Sequence, residues 1–274
     1  MKFYIIIFLC MFGATEVKSQ TYFSLTPMLG LQRCFSKYLN GNSPETFDSN
    51  ILYRKLQYGL LIDYHKSKCT FSTGIINGYT GTWYRISFPL NNPNNPSTLV
   101  TGSVYSSYQI ISIPIRASYS LKEFYLFKIK RDYTLRGEEN EKLKNIYYFT
   151  SFKFKVFTGV LFDHLTSMQN QKSSGGDIGY TVESFSSPIN RNGVTATFGF
   201  TLQFIQRNKE RLAVNFYYNQ GITKYMVTNQ TYTVGNNSYY ANVVARGTSF
   251  GILLSYPIKI WDVDKRRSIK ASGN

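Results

Sequence analysis

Residues 193–206 read GVTATFGFTLQFIQ. Taken two at a time, Val194, Ala196, Phe198, Phe200, Leu202 and Phe204 share one face, and Thr195, Thr197, Gly199, Thr201 and Gln203 share the other. That is the period of a β-strand. After Arg207-Asn208-Lys209-Glu210, which reads as a tight turn, the alternation resumes. Leu212, Val214, Phe216 and Tyr218 now oppose Ala213, Asn215, Tyr217 and Asn219. The apolar face of this hairpin needs a cover, either a second sheet in a soluble sandwich or the hydrocarbon of a membrane.

The same two-faced segment recurs along the chain. In 21–33, Phe23, Leu25, Pro27, Leu29 and Leu31 oppose residues such as Ser24, Thr26 and Gln32. In 55–65, Leu56, Tyr58, Leu60, Ile62 and Tyr64 oppose Lys55, Gln57, Asp63 and His65. A weaker version covers 69–84, with Phe71 and Ile75 opposite Ser72 and Gly74. In 107–121, Ile111, Ile113, Ile115, Tyr119 and Leu121 face away from Ser112, Pro114, Arg116 and Ser118. In 151–163, Phe152, Phe154, Val156, Val160 and Phe162 face away from Lys153, Lys155 and Asp163. With the opening hairpin and a final strand near 243–260, eight strands are expected.

Connector lengths alternate. Long polar stretches at 36–50, 85–104, 166–191 and 222–240 are expected as loops, and 66–68 and 207–210 as tight turns. Long loops on one side and short turns on the other are the habit of an up-and-down barrel in an outer membrane. The exception is 122–150, which carries Arg136-Gly137-Glu138-Glu139-Asn140-Glu141-Lys142 where a short turn is expected. It reads either as a periplasmic insertion or as an extra hairpin that would make ten strands.

The N-terminus supports an exported protein. Lys2, the apolar run Phe3 to Phe12 and the small residue Ser19 have the layout of a cleaved signal peptide over 1–19. Cleavage would remove Lys2, Lys18 and Glu16, so a formal charge of +16 would fall by one. For an exported basic chain the natural counter-ions are lipid phosphates and lipopolysaccharide, and no nucleic-acid partner is expected. Aromatic residues make up 17% of the sequence, and mean hydropathy is −0.23. Low hydropathy does not count against a barrel, since only alternate residues face lipid. The polar faces are rich in Gly, Ser, Thr, Gln and Asn, as suits a narrow hydrated interior. The expectation is therefore an all-β, antiparallel, up-and-down transmembrane β-barrel over 20–261, followed by a basic tail, 262–274. Its expected location is the outer membrane of a Gram-negative bacterium.

Two segments carry more specific resemblances. Ser249-Phe250-Gly251-Ile252-Leu253-Leu254-Ser255-Tyr256 resembles the closing-strand signal read by the barrel assembly machinery, although the chain continues beyond the aromatic residue. Tyr108-Gln109-Ile110-Ile111-Ser112-Ile113-Pro114-Ile115-Arg116-Ala117-Ser118-Tyr119 resembles a strand of the PorT-like outer-membrane β-barrel family common in Bacteroidota. An acidic residue often precedes the Ile-Pro in that family, and here it is Ser112. The resemblance implies an eight-stranded barrel and assigns no functional residue. Pro114 lacks a ladder donor, so a bulge or local break is expected there.

Chemistry-bearing residues are sparse. The only histidines are His65 and His164, expected at opposite ends of the barrel. Asp163 and His164 are strand neighbours that should face opposite ways. No catalytic residue, metal-ligand spacing or cofactor motif is expected. Cys34 and Cys69 are expected as free thiols, too far apart along the barrel for a disulfide. The inward-facing charges are Lys55, Asp63, Arg116, Lys153 and Lys155. They are read as a salt-bridged interior, with a narrow pore or ligand-binding lumen as the alternative. The leading expectation is a scaffold, adhesion or envelope-assembly role, with a periplasmic or surface protein partner. A barrel lipid hydrolase or protease is the least favoured reading.

Overall fold

The computed structural model describes residues 21–41, 55–89, 99–125, 151–169, 171–177, 180–206, 209–234 and 236–263. They form twelve strands: β1 (Thr21–Gly41), β2 (Lys55–Lys66), β3 (Cys69–Pro89), β4 (Leu99–Tyr125), β5 (Ser151–Leu165), β6 (Gln171–Asp177), β7 (Tyr180–Pro188), β8 (Asn192–Gln206), β9 (Lys209–Gly221), β10 (Met226–Val234), β11 (Asn237–Ser255) and β12 (Ile258–Asp262). Every pairing is antiparallel. Among the described residues no helix is long and apolar enough to cross a membrane, a test that does not apply to strands.

The pairings run β1–β2–β3–β4–β5–β8–β9–β11, and β11 pairs in turn with β1 from Met28 opposite Ser255 to Gly41 opposite Ala241. β12 continues β11 past Pro257 in the same register, with Leu25 opposite Ile258. Between the two, the Tyr256 N–H donates to the Pro27 carbonyl at 3.1 Å. Each segment expected to be a strand lies within one of these elements except the last, near 243–260, which runs from β11 across Tyr256-Pro257 into β12. The 66–68 turn is as expected, with Ser67 and Lys68 joining β2 to β3 and Ser67 at φ 56°.

Burial reverses the usual order of a soluble sheet. Along β4, Ser112 and Arg116 are buried while Ile113 and Ile115 are 51% and 59% exposed. On β1, Ser24, Thr26 and Gln32 are buried while Leu29 and Leu31 are exposed. The same holds for Phe198 and Phe200 against Thr197 and Thr201 on β8. The exposed side carries an aromatic ladder across β5, β8 and β9. Phe154 and Phe200 lie 5.6 Å apart, Phe200 and Phe216 4.8 Å, and Phe198 and Tyr218 5.2 Å. Such cross-strand ring pairs add order to a surface that faces no other part of the described chain.

All four of the expected long loops contain some strand. The β3–β4 ladder continues into 85–104, as far as Pro89 opposite Leu99. Within 166–191 lies the β6–β7 hairpin, and within 222–240 lies β10. β1 likewise runs on to Gly41. The result is a raised extension in the order β11–β10–β7–β6 beyond the end of the eight-strand cycle. It is tied down by hydroxyls, with Ser106 Oγ donating to Ser186 Oγ at 2.7 Å and Ser186 Oγ 2.9 Å from Thr228 Oγ1. Both sides of β7 and β10 mix polar and apolar residues, with Val182, Met226 and Tyr232 buried beside Ser184, Thr228 and Gln230, so they lack the alternation that marks the others.

Pro114 brings a break without a bulge. The β3–β4 pairing skips Gly74-Ile75 opposite Ile113-Pro114 and resumes in the same register, while β4–β5 pairing is continuous there. The expected insertion at 122–150 begins as strand, since β4 reaches Tyr125 opposite Ser151, and 126–150 lies outside the described residues. The expected signal peptide and residues 264–274 of the basic tail also lie outside them.

A candidate site in the polar interior

The buried face of the cycle is layered. At the end marked by the Ser67-Lys68 turn, a charged cluster gathers around Glu210, a residue the alternation assigns to a turn. A β-bulge places it. Gln203 pairs with Ala213 but Ile205 pairs with Glu210, so β9 spends one more residue than β8 over this step. The extra residue inverts the phase and brings Glu210 to the same face as Ala213. Lys155 Nζ then lies 3.3 Å and Lys153 Nζ 3.6 Å from Glu210 Oε1, and the Tyr22 hydroxyl donates to Oε2 at 3.2 Å.

Next to this triad, Asp63 accepts hydrogen bonds from the hydroxyls of Thr26 and Ser24. His65 is held at both nitrogens, with Nε2 2.8 Å from Ser24 Oγ and Nδ1 3.1 Å from Thr70 Oγ1, and its ring stacks on Tyr22 at 4.2 Å. Arg116 is buried with its guanidinium 5.2 Å from the Phe157 ring centroid. A cavity of about 50 Å³ among Asp63, His65, Arg116 and Lys155 remains between these side chains.

Above the cluster lies an apolar layer of Met28, Leu61, Ile76, Phe157, Tyr217 and Leu253, one side chain from each of six strands. Gly199 is part of this layer by necessity, because a Cβ there would stand 2.7 Å from the Phe157 ring. Beyond it comes a neutral layer. The Tyr217 hydroxyl donates to Gln57 at 2.6 Å, and Gln32 and Asn219 both donate to Ser249 Oγ at 3.0 and 3.1 Å.

At the opposite end, Asp163 receives hydroxyls from Ser112 at 2.5 Å, Thr195 at 2.6 Å and Tyr225 at 2.6 Å. Tyr225 comes from the connector between β9 and β10 and closes the interior. It packs with Tyr108, Ile110, Leu165, Met226 and Ala245. Gly193 makes room for it, since a Cβ there would lie 2.5 Å from the Tyr225 hydroxyl.

Of the five charges singled out in the sequence, Asp63, Arg116 and Lys155 line the turn-end cavity, and Lys153 sits at its rim on Glu210. Lys55 does not join them. It lies near the other end, with its ammonium 5.1 Å from the Tyr79 ring centroid. Period-two reading did not identify Glu210, because the bulge hides its phase. Asp163 is buried and His164 is exposed on Asn192 at 2.7 Å, so the two do not share a site. Neither Cys34 nor Cys69 is in a disulfide among the described residues, and Cys34 donates to the Tyr79 carbonyl at 3.0 Å.

No protein-family model matches the chain, and no curated protein matches it. Among solved structures, a chain from work on the asymmetric conductivity of engineered proteins aligns over 87% of this chain and 100% of its own, at 7% identity and a TM-score of 0.12. A triple mutant of the Rhodopseudomonas blastica porin aligns over the same shares at 8% identity and a TM-score of 0.12. Likeness at this level carries no argument, and the fold rests on the strand pairings themselves.

Proposed function

We propose that the protein is a small integral β-barrel of a bacterial outer membrane, closed between β1 and β11. It works as a scaffold, adhesion or envelope-assembly component through the sheet raised beyond the membrane. The observation that carries this reading is the inverted burial, with apolar residues outside and polar residues inside. A water-exposed sheet with Leu29, Ile113, Ile115, Phe198 and Ile252 on one continuous face would be a large exposed apolar patch needing a partner. Lipid is the partner that fits a surface running around the whole cycle.

The height of the band agrees. From Ile111 to Leu121, both exposed, β4 advances about 33 Å at ~3.3 Å per residue. Tilted by ~40°, that strand covers about 25 Å of membrane normal, the apolar height of such barrels. The resemblance of Tyr108–Tyr119 to the PorT-like family supports the same reading, as does the signal-peptide layout. The barrel assembly machinery, outer-membrane lipid and a periplasmic or surface protein are the partners this reading implies.

Fractionation followed by SDS gel electrophoresis with and without boiling tests it. A heat-shifted band in the outer-membrane fraction is the expected result. A soluble band without a shift would return the protein to the sandwich class.

The basic interior gives a second reading, a narrow pore. The apolar layer of Met28, Leu61, Ile76, Phe157, Tyr217 and Leu253 favours a filled barrel instead, because it leaves no continuous file of polar groups for ions. Planar bilayers containing the protein are expected to stay silent. Conductance abolished by Lys155→Glu would replace the scaffold reading with the pore.

A further inference from the structure

At the loop-ward rim of the apolar band the outward face changes in one sector. On β1 the exposed Leu29 and Leu31 give way to Arg33, Phe35 and Lys37, and on β11 Leu254, Ile252 and Phe250 give way to Thr248 and Arg246. The two strands pair here, with Cys34 opposite Ser249 and Ser36 opposite Ala245. Between those pairs β11 spends Arg246, Gly247 and Thr248 against Phe35 alone, and Gly247 takes φ 78°. This wide bulge opens a groove of about 290 Å³ walled by Phe35, Lys37, Tyr218, Gln220, Arg246 and Thr248. The Arg33 guanidinium lies across its lower edge, 5.3 Å from the Phe35 ring centroid and 5.7 Å from that of Phe250.

On β3, β4 and β5 the outward residues at this height are neutral or bonded to their neighbours, although Arg191 and Lys224 are exposed nearby. Past Ile75, Ile111 and Phe162 the next outward residues are Asn77, Gln109 and His164. Asn77 donates to the Tyr58 hydroxyl at 2.8 Å, Gln109 donates to Asn77 at 3.0 Å, and His164 meets Asn192 at 2.7 Å. In the groove sector, neither Lys37 nor Arg246 joins an ion pair among the described residues. The Arg246 Nε is buried without an acceptor. A buried guanidinium N–H calls for an acceptor that the described residues do not supply.

We propose that this groove binds the phosphorylated headgroup of a glycolipid in the outer leaflet, with Lys37 and Arg246 donating to phosphate. Its position selects that ligand. The groove opens where the lipid-facing Leu31, Phe250 and Ile252 end, so a molecule seated in it can lay acyl chains along those side chains while its phosphate meets the cations. The Tyr218 hydroxyl, which donates to Gln220 Oε1 at 3.0 Å, leaves its oxygen as an acceptor, and the Gln220 amide adds an N–H donor, both suited to sugar hydroxyls. The inference rests on the membrane-barrel reading.

The test is native mass spectrometry of the full-length protein released from detergent with bisphosphorylated lipid A, with the same lipid A dephosphorylated, and with inorganic phosphate as competitor. Retention of the bisphosphorylated form is expected to fall by about tenfold or more in Lys37→Gln with Arg246→Gln. It should be unchanged in Arg211→Gln, a cation at the far end bonded to Tyr256 at 2.6 Å. Equal retention by the double variant, or equal retention of dephosphorylated lipid A, would overturn the site. Displacement by inorganic phosphate at matched concentration would assign the groove to a free anion and overturn the lipid. A heat-shifted band certifies each variant as folded. If the double variant loses the shift, Lys37→Gln alone, at an exposed position, provides the same test with a smaller fold-change. A wild type with no heat shift would sink the barrel itself, an outcome distinct from a barrel that ignores lipid A.

Discussion

The two ends of the interior bury carboxylates by different means. Glu210 at the turn end lies between two ammonium groups supplied by β5, whereas Asp163 at the loop end is held by three hydroxyls. Removing Glu210 strands two like charges side by side. Removing the Asp163 carboxylate leaves hydroxyls, which can turn to one another or to water. The charged end is therefore brittle and the hydroxyl end forgiving, although both look equally polar in composition.

Glu210→Ala tests the brittle end and should have the largest effect. A destabilisation of about 4 kcal/mol is expected, as for breaking a buried pair on one side, read from urea titration of the protein folded into lipid vesicles. Glu210→Leu combined with Lys155→Met should recover at least half of it, because both buried charges then go. A double variant no better than Glu210→Ala would show that packing, and not charge, holds this end. Next comes Ile113→Arg, which adds a charge to the outward face of β4. It is expected to cost about 3 kcal/mol in the same assay, against nearly nothing if that face met water. Asp163→Asn should cost about 1 to 2 kcal/mol; a loss matching that of Glu210→Ala would erase the distinction between the ends. Tyr225→Phe removes one donor of three and should cost about 1 kcal/mol, with earlier protease cleavage in the β9–β10 connector as a second readout.

The same contrast explains what could be read from the sequence. A strand with an exposed apolar face and a buried polar face must alternate, so the central stretches of β1 to β5, β8, β9 and β11 were legible, β3 more weakly than the rest. The raised strands were not. Met226 to Val234 places Thr228 and Gln230 on its buried side and Asn229 and Thr231 on its exposed side, so neither face is marked. Parity alone assigned Asp63, Arg116 and Lys155 to the interior. It could not show that they meet, because that depends on registers accumulated across intervening strands. Lys55 has the right parity and the wrong height. Glu210 had neither clue, since one extra residue in β9 reverses the face on which it falls.

The raised sheet ends on β6, whose residues are Gln171-Lys172-Ser173-Ser174-Gly175-Gly176-Asp177. None of these is β-branched or aromatic, two adjacent glycines lower its stiffness, and it carries a charge of each sign. An outermost strand of this composition is a poor template for another chain's backbone. Neighbouring copies can thus stand side by side without zipping their sheets together, and any chain that meets this sheet is steered toward its broad faces and away from its border.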